Sequence, residues 1–209
     1  MNIYYHTTHI VIFRRSTTLT YDIITIIAQS IAINIITCNQ FAKTLKILIA
    51  ANTKICDDGL CMCKNIKILN ASNNDKITSC DPFAHNLVIL YANSVDSVIS
   101  DQGIKCCVQL KKLYANDNNK ITTCKPSAHT SRYLSATGQS CGISNSGLAH
   151  CYKLKTLHAG SNDKINIITH FLSLKLFTYT FSNPSMQKEI NTLKKSQIQL
   201  QLKKINIYR

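Results

Sequence analysis

The chain has 209 residues, enough for one domain with a sizeable hydrophobic core. Hydrophobic residues make up 45% and charged residues only 16%, a composition that excludes an intrinsically disordered chain. The net charge of +14 favours acidic partners, which include nucleic acid, an anionic membrane surface and an acidic protein face.

The N-terminal residues 1–22 precede any repeating pattern, and we predict that they form a cap on the first repeat unit. The apolar run IITIIAQSIAINII follows, from Ile23 to Ile36, with Arg14 and Arg15 upstream of it. This run has 14 residues, fewer than the ~20 that a membrane helix needs, so we predict neither a membrane span nor a signal peptide. We interpret it as the first unit of a repeat.

Residues 23–180 form an internal repeat. The phrase SNNDKITSC recurs as DNNKITTC and SNDKINII, and its lysines, Lys76, Lys120 and Lys164, lie 44 residues apart. Each block of 44 residues divides into two units that begin with L-x-x-L-x-A or a variant of it, at spacings of 20 to 23 residues. About eight units of two alternating kinds therefore make up the domain. The units begin at Ile23, Leu45, Ile66, Leu87, Leu110, Ser131, Leu154 and Leu174.

The unit pattern resembles the leucine-rich repeat, L-x-x-L-x-L-x-x-N/C-x-L. Its asparagine occurs in alternate units as Asn74, Asn118 and Asn162, and the intervening units, such as ISDQGIKCCVQL, resemble the cysteine-containing subclass. The two-block alternation is also similar to leucine-rich repeat proteins of giant viruses of amoebae. The resemblance implies an α/β fold, a curved right-handed solenoid with a parallel sheet on its concave face. Members of the subclass often carry an F-box, which residues 1–22 are too short to form.

The repeat predicts the secondary structure of each coil. Leucine and alanine alternate in the first part of a unit, which predicts a short strand with these residues facing inward. On the outer side, Pro82 and Pro126 fit the first turn of a short helix or 3₁₀ turn. In the other units we predict short helices that end at the next cysteine, with N-caps at Asp57, Asp101 and Asn145.

The recurring asparagines are predicted to be buried, with their amides bonded to the backbone of adjacent coils. In the other units the aligned residues are Thr53, Val95 and Gln139. Residues 181–209 are rich in lysine, and we predict a basic C-terminal cap or tail there. Its stretch EINTLKKSQIQLQLKK fits an amphipathic helix, whereas QIQLQLKKINI alternates like a strand. We favour the helix.

Ten cysteines suggest either disulfides or a metal site. Members of one file of cysteines recur at every second coil, so they lie ~10 Å apart at the spacing of stacked strands. A disulfide needs Cα atoms within ~7 Å, so we predict free, buried thiols in a reducing compartment. No spacing indicates zinc and no motif indicates catalysis, so we predict no metal, no cofactor and no enzymatic activity. The two files are Cys38, Cys80 and Cys124, and Cys63, Cys107 and Cys151.

Two features lie on the predicted concave face. A basic column follows the first leucine of the units, and tyrosines lie at the centre of the face. We predict that these residues bind a partner, since tyrosine and arginine are favoured at hot spots and cations attract acidic surfaces. Another interpretation of the basic column is that it only keeps the surface soluble. The predicted binding residues are Lys46, Lys67, Tyr91, Lys111, Tyr114, Arg132, Tyr133, Lys155, His158 and Lys175.

The sequence therefore predicts a non-enzymatic leucine-rich repeat scaffold that binds a protein partner with an acidic face on its concave side. One alternative is the binding of nucleic acid or an acidic surface through the basic column and tail. Others are a substrate receptor of a ubiquitin ligase that lacks its own F-box, and a decaying duplicate without function. We expect no membrane association and an intracellular, reducing location, which is the host cytoplasm if the protein is viral.

Overall fold

The computed structural model describes residues 10–14, 23–28 and 37–165. The predicted tail, the unit that begins at Leu174 and the predicted binding residue Lys175 lie outside the described residues. The proposed domain bounds at residues 22 and 180 likewise stay predictions.

The described strands form one eight-stranded sheet in which the strands follow chain order. The first two strands pair antiparallel, and every later strand pairs parallel with the strand before it. Each parallel neighbour is reached by one coil of the chain, so the coils stack as a solenoid. The strands are β1 (Ile10–Arg14), β2 (Ile23–Ala28), β3 (Ile47–Ile49), β4 (Ile68–Asn70), β5 (Ile89–Tyr91), β6 (Lys112–Tyr114), β7 (Tyr133–Ser135) and β8 (Thr156–His158).

A file of leucines runs through the centre of the sheet. The middle residue of each strand from β3 to β8 is a leucine, and these leucines pair in register from coil to coil. Leu48, Leu90 and Leu134 have no exposed surface, and the alanine after each of these strands is also fully buried. Burial of each leucine contributes roughly 2 kcal/mol. The predicted strands with inward leucine and alanine are therefore confirmed.

Short helical segments connect the strands on the outer side. They alternate between 3₁₀ turns and longer turns or helices, which is why the sequence has two kinds of unit. Pro82 and Pro126 lie in the first turn of 3₁₀ segments, as predicted. No helix within the described ranges is long and apolar enough to cross a membrane. The segments are the 3₁₀ turns Asn39–Phe41, Asp81–Phe83 and Lys125–Ser127 and the helices α1 (Asp101–Ile104) and α2 (Asn145–Leu148).

The predicted helix caps are wrong. Asp101 is the first residue of α1, its N-cap is Ser100, and α2 likewise begins at its predicted cap residue. The carboxylate of Asp101 accepts hydrogen bonds from the backbone amides of Thr122 (2.8 Å) and Thr123 (3.2 Å) in the next coil. Asp57 bonds to the next coil in the same way. These aspartates therefore join coils, and both helices end before the cysteine at which they were predicted to end.

Buried asparagines join successive coils, as predicted. The amide of Asn118 donates to the carbonyl oxygens of Ala92 (2.8 Å) and Ile99 (3.2 Å) in the preceding coil. Its carbonyl oxygen accepts from the backbone amides of Lys120 (2.8 Å) and Ile121 (3.0 Å). Each asparagine thus satisfies buried backbone groups that would otherwise lack partners. The corresponding donor bonds recur at Asn74 and Asn162.

In two other coils the residue at the asparagine position differs from the one predicted. Val95 and Gln139 are exposed, because their coils are two residues longer than the neighbouring coils. The buried positions belong instead to Ser97 and Cys141. The thiol of Cys141 donates to the carbonyl oxygen of Ala115 at 3.3 Å, which is the bond that the asparagine amide makes elsewhere.

Glycines at the 44-residue step allow adjacent coils to approach closely. A Cβ atom added to Gly103 would lie 2.1 Å from the carbonyl oxygen of Thr78, and one added to Gly147 would lie 1.9 Å from that of Thr122. The carbonyl oxygen of Gly103 in turn accepts a hydrogen bond of 2.9 Å from the amide of Cys80. The glycines are therefore packing residues.

All ten cysteines are free, and both predicted files are buried. The structure also brings the two files together in adjacent coils, which the sequence analysis did not foresee. The thiol of Cys63 lies 3.4 Å from the carbonyl oxygen of Cys38, and the thiols of Cys80 and Cys107 are hydrogen-bonded. Burial, followed by the neighbouring Cys63, raises the pKa of Cys38 to about 12, so this thiol is protonated and unreactive at neutral pH.

Candidate functional site

One face of the sheet is open. The first and third residues of strands β3 to β8 point away from the leucine file, and almost all of them are partly or fully exposed. We call this surface the open face. It corresponds to the concave face that the sequence analysis predicted to bind a partner.

Four aromatic side chains form a continuous row on the open face. The rings of Tyr91 and Tyr114 are stacked, with centroids 4.2 Å apart and an interplanar angle of 12°. Tyr114 contacts Tyr133 at 4.9 Å, and Tyr133 contacts His158 at 5.3 Å, both in tilted arrangements. We call these four residues the aromatic row. All four are half-buried and were predicted as binding residues.

A small residue makes the row continuous. Tyr91, Tyr114 and His158 are third residues of their strands, whereas Tyr133 is a first residue. The third residue of that strand is Ser135, which lies in register between Tyr114 and His158. Its side chain is small and turns aside to donate a hydrogen bond of 2.7 Å to Asn116 Oδ1, so the Tyr133 ring takes its place. An alignment of the units places Tyr133 in a different column from the other three residues, so the sequence alone does not show that the rings meet.

The phenol groups of the row influence one another. Burial raises the pKa of Tyr91, and Tyr114 raises it further through charge repulsion and a hydrogen bond. Burial also raises the pKa of Tyr114, with repulsion from Tyr133 as the next cause. The phenols of Tyr91 and Tyr114 are therefore uncharged at neutral pH, and the row offers a partner aromatic surface together with hydroxyl donors and acceptors.

A basic column borders the open face where the strands begin. The backbone amide of each column residue donates to the carbonyl oxygen of the equivalent residue in the preceding coil at 2.8–2.9 Å. These bonds hold the Cα atoms at the strand spacing of ~4.8 Å. Between Lys46 and Lys155, Val88 is the one position of the column without a positive charge. The column contains the predicted binding residues Lys46, which is half-buried, and Lys67, Lys111, Arg132 and Lys155, which are exposed.

Further cations, which the sequence analysis did not assign to this surface, lie beside the column. They belong to the six residues that end at the first residue of each strand, namely residues 42–47, 63–68, 84–89, 107–112, 128–133 and 151–156. We call this border the basic edge. The sequence does contain a signal for the basic edge, because several cations occur two residues before the first leucine of a unit or one residue after the basic column. The additional cations are Lys43, Lys64, Lys112 and Lys153, all exposed.

The arrangement supports binding, and we see no arrangement for catalysis in the part of the chain that the structure describes. No three histidine, cysteine or acidic residues come together there as a metal site. The buried thiols of Cys38, Cys63 and Cys80 have raised pKa values, which disfavours the thiolate that a nucleophile or metal ligand requires. The open face and the basic column beside it offer a partner mainly aromatic rings, hydroxyl groups and cations.

No protein-family model and no curated protein sequence matches the chain. Among solved structures, internalin C2 from Listeria monocytogenes is similar, with a TM-score of 0.55 and 24% sequence identity; the match covers 78% of this chain and 75% of the internalin. A second internalin from the same organism has a TM-score of 0.54 and 14% identity, over 78% of this chain and 56% of its own.

Internalins are leucine-rich repeat proteins, and at these identities the likeness shows the fold. The chain is therefore an α/β leucine-rich repeat solenoid, as its sequence predicts. Neither structure is viral, and the resemblance to repeat proteins of amoebal viruses stays a prediction.

Proposed function

We propose that the chain is a non-enzymatic scaffold that binds a protein partner with an acidic face on its open face. The aromatic row is the observation that carries this proposal. Repetition of the 44-residue block does not account for the row, because the residues 44 positions after Tyr91 and Tyr114 are Ser135 and His158. Three tyrosines therefore meet at the centre of the face without being copies of one another.

The row fits the role of a binding hot spot. Its rings are half-buried in the free protein, so neighbouring rings and the sheet already restrict their rotation. Binding then orders little that was mobile, and burial of the remaining ring surface contributes directly to affinity. The basic column beside the row attracts an acidic partner, which raises the association rate at low ionic strength. The residues with cationic roles are Lys46, Lys67, Lys111, Arg132 and Lys155.

The proposed cellular compartment is inferred from the family resemblance and from the free thiols. Ten free cysteines, seven of them buried, suit a reducing compartment. The resemblance to repeat proteins of amoebal viruses supports the host cytoplasm as that compartment, with a host protein as partner. No cofactor is needed for such a role.

The proposal is tested with Tyr114→Ala, which removes the ring that contacts both Tyr91 and Tyr133. Val95→Ala is the control, because Val95 is 47% exposed and lies outside both the open face and the basic edge. The wild-type protein is first used to isolate a partner from nuclease-treated amoebal lysate at low and high salt. Titration with the purified partner should then show that Tyr114→Ala weakens binding by about 2 kcal/mol, or roughly thirtyfold, while the control changes it little. An unchanged affinity for Tyr114→Ala contradicts the proposal.

A further inference from the structure

Charge is segregated in the solenoid. Residues 37–165 contain fifteen lysine and arginine residues and eight aspartates. Nine of the fifteen cations lie in the thirty-six residues of the basic edge, and none of the eight aspartates does. The edge therefore has a formal charge of +9, whereas the remaining described residues of this range have −2. A lysine-rich composition would raise the positive charge on every side and does not explain this separation.

Duplication of the repeat explains only part of the edge. Lys67, Lys111 and Lys155 lie 44 residues apart and are copies of one position. The other edge cations do not follow that step, since Val108 lies 44 residues after Lys64 and Gln109 lies 44 residues before Lys153. The nine cations thus occupy four positions of the unit, and the 44-residue step accounts for only three of them.

The edge cations have no acidic partners within the described chain. The ion pair found there joins Lys76 to Asp75 at 3.3 Å, and neither residue belongs to the edge. The polar side chains of the edge bond to backbone carbonyl groups, as when Asn65 donates to Lys43 (2.9 Å) and Asn86 to Lys64 (3.0 Å). The lysine ammonium groups consequently face solvent, and their mutual repulsion is relieved only by an external anion.

An apolar strip runs beside the cations. The first residues of three successive strands are Ile47, Ile68 and Ile89, all half-buried on the open face. Tyr133 occupies the same position farther along the sheet. A ligand that lies along the coils of Ile47, Ile68 and Tyr133 therefore meets cations on one side and apolar or aromatic side chains on the other.

We propose that the basic edge binds single-stranded nucleic acid, with phosphates along the cations and bases over the apolar strip. A single strand has this two-sided character, because its bases are free to contact apolar and aromatic groups. A duplex fits less well, since its bases are hidden and its second backbone would lie over the isoleucines. An acidic peptide would leave the apolar strip without a function. This site shares the basic column and Tyr133 with the proposed protein-binding surface, but it does not rest on that proposed function.

The edge is long enough for a short strand. The edge spans six coils, five of which carry cations, and the five intervals of ~4.8 Å between them give a length of about 24 Å. At ~3.4 Å per phosphate, as for one strand of a duplex, at most about seven phosphates lie along it. The site size of a few nucleotides agrees with known single-strand binding surfaces.

The test compares two charge-matched variants of the full chain. The edge variant is Lys67→Gln, Lys111→Gln and Lys155→Gln, and the control is Lys76→Gln, Lys105→Gln and Lys125→Gln, all at exposed positions. Binding to a fluorescein-labelled oligothymidylate of about 12 nucleotides is followed by anisotropy at several salt concentrations. We expect the edge variant to lose at least about tenfold in affinity near 50 mM salt. The magnitude of the negative slope of log K against log salt should decrease by about two. The control should stay within about twofold of the wild type.

Several results would overturn the proposal. These are the absence of binding by the wild type at low salt, an equal loss in both variants, tighter binding of a duplex of the same length, and equal competition by polyglutamate of the same charge. Thermal unfolding of both variants verifies that they fold. If the triple edge variant does not fold, the single change Arg132→Gln serves instead, and the salt slope should then fall by about 0.7.

Discussion

The buried amide of Asn118 offers the most direct test of how the coils are held together. Replacement by alanine removes four hydrogen bonds, two donated at 2.8 and 3.2 Å and two accepted at 2.8 and 3.0 Å. Asn118 has no exposed surface, so water cannot replace the lost partners without opening the coil. At about 1 kcal/mol per lost bond, Asn118→Ala should lower the free energy of unfolding by about 4 kcal/mol.

The assay is urea unfolding followed by circular dichroism. Asn119→Ala is the control, because Asn119 is the exposed neighbour and its substitution should change the unfolding free energy by less than about 0.5 kcal/mol. Asn118→Asp distinguishes the contribution of the donated hydrogen bonds from that of the accepted ones. An aspartate carboxylate accepts hydrogen bonds as the asparagine does but cannot donate to the carbonyl oxygens of Ala92 and Ile99.

Asn118→Asp should therefore destabilise at neutral pH at least as much as Asn118→Ala. Protonation of the carboxyl group restores one donor, so the difference from wild type should shrink as the pH falls towards 4. An aspartate variant as stable as the wild type at pH 7 would refute the role of the donor bonds. A loss below about 1 kcal/mol for the alanine variant would refute the whole account.

Three further predictions concern stability and thiol chemistry. Ser131→Ala removes a buried hydroxyl that has no hydrogen-bond partner, so it should raise the urea midpoint. Ser135→Ala breaks the hydrogen bond to Asn116 and should lower the midpoint. Shifts of both variants in the same direction would contradict this prediction. Gly103→Ala should lower the unfolding free energy by more than about 2 kcal/mol in thermal melts, because its Cβ would lie 2.1 Å from a carbonyl oxygen of the preceding coil. A thiol reagent at pH 8 should modify the exposed Cys61 in the folded protein but Cys38 only after unfolding. Folding raises the pKa of Cys38 from 9.0 to about 12. The contribution of the protonated thiol to stability is therefore complete below pH 9 and is lost as the pH rises towards 12. In Cys38→Ala the urea midpoint should consequently decrease less between pH 9 and pH 12 than it does in the wild type.

Much of the fold follows from the sequence, because the repeat fixes which residues must face inward. The leucine file, the proline turns and the buried asparagines all occupy their predicted places. The errors have two causes. Asp101 was assigned a partner in its own helix, but its carboxylate bonds to a coil 21 residues further along the chain. Ser97 and Cys141 were missed because two extra residues in their coils shift the buried position. The first error concerns a contact between coils, which the sequence of one coil does not contain, and the second concerns the path that two extra residues take within a coil.

The same distinction applies to the site, where departures from the repeat are more informative than the repeat. The central strand leucine and the alanine after each strand are the same residues in every coil from β3 to β8, because each must pack against its copy above and below. Outward positions are free of that constraint, so a residue that recurs there, such as Lys111, is explained by duplication alone. Tyr114 and Tyr133 do not recur at the 44-residue step, yet their rings meet at 4.9 Å. Different positions that converge on one surface require another explanation, and we propose that binding of a partner provides it. The repeat thus determines the solenoid, and the residues that depart from the repeat are the ones that we propose to bind a partner.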